Sequence, residues 1–171
     1  NSEARNTVGY HDFMEVVANR KIDLPSFAGM PQYLWINGVK LDFLYPPRDF
    51  LKRKDKEKWR NTNNNSLVVK VSMGSTSFLF PGDIMAAAEA ELIGMAGGKL
   101  DSTVLIAPHH GSRSSSSTAF LGKINPGVIV ISCGRRSRFK LPHPAIFEKY
   151  QRLGYAIFRT DLNGAVSLTT D

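Results

Sequence analysis

The sequence predicts an α/β layered fold, and two features of its hydrophobic pattern lead to this prediction. Residues 33–80 contain two β-hairpin patterns, and from residue 84 onward helical and strand patterns alternate. Hairpins followed by strand–helix alternation are typical of layered α/β domains. The chain has 171 residues, of which 42% are hydrophobic, enough for one domain with a sizeable core. We therefore expect a single domain over residues 1–171.

Each predicted element follows from a local pattern. Apolar residues at helical spacing predict an amphipathic helix over 10–20. Asn37-Gly38 lies between two β-prone runs and predicts a hairpin, because both turn residues need a positive φ. A second hairpin should turn near Gly74. The remaining predicted elements are helices over 84–95, 118–123 and 145–153, strands over 103–107, 128–132 and 155–159, a turn at Asn163-Gly164, and a closing strand over 165–169.

The segment 48–65 shows the least regular helix or strand pattern in the sequence. It mixes lysines and arginines with acidic residues and then runs into Asn61-Thr62-Asn63-Asn64-Asn65. Charges of alternating sign are typical of a solvated surface, so we expect most of this segment to be a surface loop.

Composition limits the classes of partner and site. The formal net charge is +7, which favours an anionic partner such as nucleic acid, a phosphate ester or an anionic membrane surface, without choosing among them. Cys133 is the only cysteine, so an intramolecular disulfide and a cysteine-rich zinc site are excluded. No apolar run is long enough to span a bilayer, and residues 1–6 do not resemble a signal peptide.

Polar residues directly follow three of the predicted strands. Asp83 follows the second hairpin, His109-His110 follow the strand over 103–107, and Arg135-Arg136 follow the strand over 128–132. Strand ends converge on one rim in layered α/β folds, and ligands bind there. Asp and His are suitable ligands for zinc or manganese.

These residues also have ordinary structural interpretations. The His109-His110 pair is either a metal or phosphate contact or a packed or surface pair. Asp83 is placed to be the N-cap of the following helix, a role that is compatible with metal binding because the carboxylate has two oxygens. Their occurrence together is stronger evidence for a metal or phosphate site than any one of these residues alone.

Two further segments fit phosphate binding. Ser112 and Arg113 begin a polar and flexible stretch, which is either a loop with a capping hydroxyl or a phosphate-contacting loop. Arg135 and Arg136 begin the densest basic cluster without interleaved acids, which continues with Arg138 and Lys140. His143, between two prolines, either starts a helix or reaches into the site.

The motifs resemble those of a known family when they are taken in order. Asn63-Asn-Asn-Ser-Leu-Val-Val-Lys-Val-Ser72, Ser77-Phe-Leu-Phe-Pro-Gly-Asp83, Ala107-Pro-His-His-Gly-Ser-Arg113, Pro142-His-Pro144 and Arg159-Thr-Asp-Leu-Asn-Gly-Ala165 occur in this sequence. Over nearly the whole chain they are similar to the metallo-β-lactamase-like domain of ComEC-type DNA-internalisation competence proteins.

The resemblance implies a metallo-β-lactamase αβ/βα sandwich with a metal site on one edge. It implies that Asp83 bridges two metal ions and that His109 or His110 is a ligand, with His109 favoured. Asn63–Ser66, including Asn65, stand where other members of the superfamily carry a further metal histidine, and His143 matches a family histidine near the site. Ser112, Arg113, Arg135, Arg136, His143 and Asn65 are the expected substrate-binding residues.

The sequence departs from the family pattern in three ways. Pro81 stands where the family has Thr, and Leu141 stands where it has a histidine. The H-x-H-x-D-H motif of the superfamily does not occur in this chain. We therefore expect the first strands of the sandwich to be missing from the chain and zinc or manganese to need the complete domain.

The expected function is metal-dependent phosphodiester hydrolysis of DNA during competence-related uptake. The alternatives are a non-catalytic DNA-guiding module and a small-molecule phosphoesterase or lactonase of the same fold. The resemblance implies that the partners are DNA and a membrane-embedded channel portion, at the extracytoplasmic face of a bacterial membrane. Self-association is also expected, because a missing half would leave strand edges exposed.

Overall fold

The computed structural model describes residues 7–24, 27–53, 55–135 and 138–169. The chain divides into two compact units, residues 1–31 and 32–171. In the first unit, helix α1 (Val8–Asn19) confirms the predicted amphipathic helix. Thr7 caps it by accepting a hydrogen bond from the Tyr10 amide at 3.3 Å. None of the helices among the described residues combines the length and the apolar character needed to cross a membrane.

The second unit is an α/β structure built on one mixed seven-stranded sheet. Its strands lie in chain order, β1 to β7, with antiparallel pairing from β1 to β4 and parallel pairing from β4 to β7. The strands are β1 (Tyr33–Ile36), β2 (Val39–Tyr45), β3 (Val68–Met73), β4 (Thr76–Phe80), β5 (Val104–Ile106), β6 (Val128–Ile131) and β7 (Ala156–Arg159). Both predicted hairpins are confirmed, and Asn37 and Gly38 have the expected positive φ of 48° and 82°.

Helices provide the crossover connections between the parallel strands. They are α3 (Ala86–Ala96) between β4 and β5, α4 (Thr118–Ile124) between β5 and β6, and α5 (Pro144–Arg152) between β6 and β7. A parallel pair needs such a connection because its strands run in the same direction. Two short helices, α2 (Phe50–Arg53) and α6 (Thr160–Asn163), bring the α-helices of the described residues to six.

The core lies between the sheet and its crossover helices. Leu105 and Ile129 are fully buried against side chains of the three crossover helices, among them Leu92, Phe120 and Tyr150. Each large side chain buried in this way contributes about 1.5–3 kcal/mol. The core therefore fixes the strands and, with them, the positions of the loops at their carboxyl ends.

The structure differs from the sequence predictions at two places in the fold. Most of the described charged side chains of segment 48–65 are exposed, as predicted, but the segment also contains α2 and buries Arg60, which bonds Tyr45, Glu57 and Glu91. Among residues 165–169 there is no strand. Before these residues the chain forms α6, where the Asn163 side chain accepts a hydrogen bond from the Arg159 amide at 2.8 Å.

Candidate functional site at the carboxyl edge of the sheet

Four segments of the chain meet at one edge of the sheet. Asp83, His110 and Arg135 follow the carboxyl ends of β4, β5 and β6, which are parallel. Asn63–Asn65 precede β3, and this strand is antiparallel to β4, so its start lies at the same edge. The structure thus brings together most of the residues that the sequence pointed to, although they are far apart along the chain.

Asp83 and His110 form a pair that faces solvent. The Nε2 atom of His110 lies 3.6 Å from Oδ1 of Asp83, and both side chains are about half exposed. The Nδ1 atom of His110 lies 2.8 Å from the carbonyl oxygen of Ser132. A carbonyl can only accept, so Nδ1 carries a hydrogen and Nε2 of the neutral ring presents its lone pair. Nε2 of the neutral ring and Oδ1 of Asp83 can therefore both donate an electron pair to a cation.

His109 is held by contacts from two other segments. Its Nε2 atom lies 3.4 Å from the Asn63 amide nitrogen, and its Nδ1 atom lies 3.4 Å from Oγ of Ser114. The His109 backbone amide donates to the carbonyl of Gly82 at 3.0 Å. His109 is therefore fixed between the start of β3 and the serine-rich loop, and it stands beside the Asp83–His110 pair.

The backbone of the histidine turn is strained. His109 and His110 both have left-handed conformations, with φ of 48° and 57°. Such conformations are uncommon for residues other than glycine, and they concentrate at functional sites. The strain supports a functional role for the two imidazoles.

Two glycines allow the segments of the edge to approach closely. A Cβ on Gly82 would lie 2.7 Å from Cβ of Ser66, whose hydroxyl accepts from the Asp83 amide at 3.1 Å. A Cβ on Gly111 would lie 2.7 Å from Cβ of Pro142. Both glycines also have a positive φ. Any side chain at either position would push neighbouring segments of the site apart.

Asn64, rather than Asp83, binds the start of α3. The prediction that Asp83 caps this helix is wrong, because the N-cap is Met85 and its amide donates to Oδ1 of Asn64 at 2.8 Å. The Asp83 carboxylate therefore remains available to the edge of the sheet. Asn65, an expected substrate contact, is buried at 2% exposure.

The serine-rich loop is more ordered than the sequence indicated. Ser115 and Ser116 are buried, and Oγ of Ser115 donates to the Ile84 carbonyl at 2.7 Å. The carboxylate of Glu89, which is fully buried in α3, accepts from the amides of Ser116 at 2.5 Å and Ser117 at 2.8 Å. Burial raises the pKa of this carboxyl above its ordinary value.

Glu89 is the site-positioning residue that sequence reasoning missed. Within the Ala- and Glu-rich helix it has the composition of an ordinary helix former, so nothing in the local pattern distinguishes it. The loop that it holds continues to Ser114, which contacts His109. The opposite side of the loop is held by Tyr150, whose hydroxyl lies 2.5 Å from Oγ of Ser116.

Of the expected phosphate contacts, Ser112 lines an open cleft at this edge. The cleft, of about 430 Å³, is lined by Asp83, His109, His110, Ser112, Phe139 and Leu141. Arg113 and Arg135 are exposed on loops of the same edge, whereas Arg136 lies outside the described residues. Nδ1 of His143 accepts from the Ala145 amide at 3.3 Å, so this residue is the N-cap of α5, one of its two predicted roles.

The lone cysteine lies beside this edge but has the environment of an unreactive thiol. Cys133 donates to Oδ1 of Asp161 at 3.1 Å, and burial raises the pKa of its thiol. The Arg159 guanidinium binds both oxygens of Asp161 and lowers the pKa of that carboxyl to about 2. A thiol of raised pKa beside a carboxylate is a poor nucleophile.

Metal ligands are incomplete in the part of the chain that the structure describes. No group of three or more His, Cys, Asp or Glu side chains in that part is arranged to hold an ion. Asp83 and His110 supply two donors, whereas a structural zinc site has about four and a catalytic site about three. The described residues alone therefore do not form a complete metal centre.

Several known bacterial proteins are similar in sequence to this chain. No protein-family model matches the chain. It is 35% identical over 130 residues to competence protein ComA of Neisseria gonorrhoeae, an alignment covering 76% of this chain and 18% of ComA. It is 32% identical over 104 residues to ComE operon protein 3 of Bacillus subtilis, covering 61% and 13%. Recombination protein 2 of Haemophilus influenzae is 36% identical over 107 residues, covering 63% and 13%.

In each of these alignments the chain spans less than one fifth of the relative's length. The shared segments nevertheless cover most of the chain at similar levels of identity in three different bacteria. These homologues indicate a competence protein of the ComEC family.

Proposed function

We propose that the chain belongs to a DNA-handling domain in competence-related uptake, and that its carboxyl edge is part of a phosphodiester-hydrolysing site. Three homologues carry the names competence protein ComA, ComE operon protein 3 and Recombination protein 2. The single observation behind the catalytic part of the proposal is the exposed Asp83–His110 pair, with Nε2 and Oδ1 3.6 Å apart beside the strained histidine turn.

The residues of the cleft fit phosphodiester chemistry in distinct ways. A neutral His110, with its hydrogen fixed on Nδ1 by Ser132, presents a basic Nε2 that can take a proton from an attacking water. The Asp83 carboxylate stabilises the resulting imidazolium. Arg113 and Arg135, both exposed at this edge, supply charged donors to phosphate oxygens.

The fold and the metal requirement of the complete domain are part of the same proposal. The seven-stranded sheet with helices on its core face is compatible with one layer of a metallo-β-lactamase sandwich. With a metal bound, Nε2 of His110 would be a ligand rather than a base, because Nδ1 is bound to a backbone carbonyl, the arrangement common among metal-ligating histidines. The metal would then activate the attacking water in place of the imidazole. Zinc or manganese would then need further ligands from other parts of the complete domain. We expect the 171-residue chain alone to bind no such ion tightly.

A second candidate is a non-catalytic module that guides DNA. The observation that favours it is the lack of a three-ligand group among the described residues, combined with the net charge of +7. Such a module would bind DNA through its basic edge without hydrolysing it. In either case we propose that the protein acts at the outer face of a bacterial membrane, next to a channel portion of the same or a neighbouring polypeptide.

The test is hydrolysis of labelled DNA by the complete polypeptide that contains this segment, with and without added zinc or manganese. H110A and D83N should reduce hydrolysis by at least about 100-fold, a typical contribution of a general base. DNA binding should remain in both variants. E148A, at an exposed position on α5, is the control and should remain active.

Three results would decide against parts of this proposal. Hydrolysis that is unaffected by H110A and D83N would remove this edge from catalysis. DNA binding without hydrolysis under every metal condition would favour the guiding module. Hydrolysis of small phosphate esters or lactones, without binding of DNA, would make a small-molecule hydrolase the better assignment.

A further inference from the structure

Phe139 is an aromatic side chain that projects from the candidate site. It is 67% exposed, although large apolar residues are usually buried. The guanidinium of Arg138 lies 4.7 Å from the centre of its ring, a cation–π arrangement. Exposed aromatic rings next to arginines are the parts from which proteins build stacking platforms for single-stranded nucleic acid.

Phe139 and Leu141, together with His110, line two neighbouring clefts. The first, of about 430 Å³, also contains Asp83, His109, His110 and Ser112. The second, of about 300 Å³, contains His110, Ser132, Cys133 and Gly134. The first cleft therefore contains Asp83 and both histidines, while the second contains His110, a half-buried thiol and the same apolar residues. A nucleotide also has two parts, a charged phosphate and a flat base with a polar rim.

The segment that carries Phe139 is basic, and this charge indicates the kind of ligand. No Asp or Glu occurs from residue 124 to 147, whereas Arg135, Arg136, Arg138 and Lys140 all lie there. Of these, the three that the structure describes are exposed. A purely apolar patch would fit a protein or lipid, and a purely basic patch would fit any polyanion. An aromatic ring within an acid-free basic loop fits a ligand that carries both phosphates and rings.

We propose that Phe139 is a stacking platform for an unpaired nucleobase, and that this edge selects single-stranded over double-stranded DNA. This inference rests on the proposed DNA-handling function. The phosphate lies at the first cleft, near His110 and Arg135, and the adjoining base stacks on the Phe139 ring. Bases of a duplex are already stacked on each other, so only an unpaired base can use the ring.

The test measures binding of three probes of equal length: single-stranded oligothymidylate, the same strand with abasic sites throughout, and a duplex. F139A should weaken binding of oligothymidylate about 5- to 150-fold, the range expected for one lost base–aromatic stack. F139W should retain it, because tryptophan also stacks. Binding of the abasic strand and of the duplex should change less than about twofold in F139A, because neither probe offers an unpaired base. L153A, which removes an exposed apolar side chain just after α5, is the control.

Salt dependence separates stacking from charge. R135A should weaken binding of all three probes and reduce the slope of log affinity against log salt by about 0.7–0.9 per lost phosphate contact. F139A should leave that slope unchanged, because stacking releases no counterions.

Each alternative outcome overturns a defined part of the inference. Equal binding of oligothymidylate by F139A and the unmodified protein would overturn the stacking role and leave the proposed function intact. Equal losses on oligothymidylate and on the abasic strand would show that Phe139 supports the loop rather than a base. If F139A instead loses binding to vesicles containing anionic lipid, with DNA binding unchanged, the ring is a membrane contact. Lack of binding to all three DNA probes at low salt would overturn the proposed function as well.

Discussion

Replacing the buried Glu89 by alanine should destabilise the protein strongly. The carboxylate is inaccessible to solvent and accepts hydrogen bonds from the Ser116 and Ser117 amides. E89A leaves both donors buried without this acceptor, and each loss costs about 1–3 kcal/mol. We therefore expect a loss of roughly 4 kcal/mol in the free energy of unfolding, a large part of the ~5–15 kcal/mol that a typical domain has.

Thermal and urea unfolding, followed by circular dichroism, measure this loss. For a chain of this size, ~4 kcal/mol corresponds to a melting temperature lower by about 8–16 °C. The control E148A, at an exposed position on α5, should change stability by less than about 0.5 kcal/mol. If E89A melted within about 2 °C of E148A, the carboxylate would not be holding the serine-rich loop, and the argument would fail.

The dependence of stability on pH measures the burial of the same carboxyl group, whose hydrogen bonds from the Ser116 and Ser117 amides act in the opposite direction on its pKa. Burial raises the pKa of Glu89 above its ordinary value of 4.5. The folded state therefore binds this proton more tightly than the unfolded state does. The resulting stabilisation is complete below pH 4.5 and is lost as the pH rises through the raised pKa. E89Q lacks this titration, so the stability of the unmodified protein relative to E89Q should fall with rising pH.

Three other predictions concern charges and an exposed strand. R60K should lower the free energy of unfolding by roughly 2–4 kcal/mol in urea titrations, because lysine cannot reproduce the buried contacts to Glu91 and Tyr45. D161N should abolish a loss of stability that otherwise occurs as the pH falls from 3.8 to about 2, measured by urea unfolding at each pH. W35K should reduce self-association in light scattering, because Trp35 is 62% exposed on edge strand β1. An unchanged free energy of unfolding in R60K, an unchanged pH dependence in D161N or unchanged self-association in W35K would contradict the corresponding prediction.

Local patterns were sufficient to predict most of the fold. The Asn37-Gly38 turn requires positive φ at both residues, and Pro144 favours the start of a helix, so each fixes an element from a few neighbouring residues. The burial of Arg60 in segment 48–65 was missed because it depends on Glu91, 31 residues after Arg60 along the chain. A charge run has the same pattern whether its partner is water or a buried carboxylate, so periodicity could not distinguish the two.

The site was predicted in composition but not in detail. The rule that parallel strands end at one edge was enough to bring Asp83 and His110 together. The preference for His109 over His110 as a metal ligand came from the family resemblance, because the local sequence does not distinguish adjacent residues, which differ only in the contacts that the fold gives them. The structure shows that His110 faces Asp83 and that His109 contacts Asn63. The role of Glu89 depends on backbone amides, which every residue carries, so no residue type indicates it.

The left-handed conformations of His109 and His110 lower the stability of the fold at two residues that the proposed site needs. Glycine relieves the strain of a positive φ, which costs on the order of 1–3 kcal/mol at a non-glycine residue. A laboratory selection that rewards heat resistance alone should therefore enrich glycine at these two positions. The selected proteins would melt at higher temperature and would have lost the imidazoles. A selection that also requires the site to work should keep both histidines and obtain its heat resistance elsewhere in the fold.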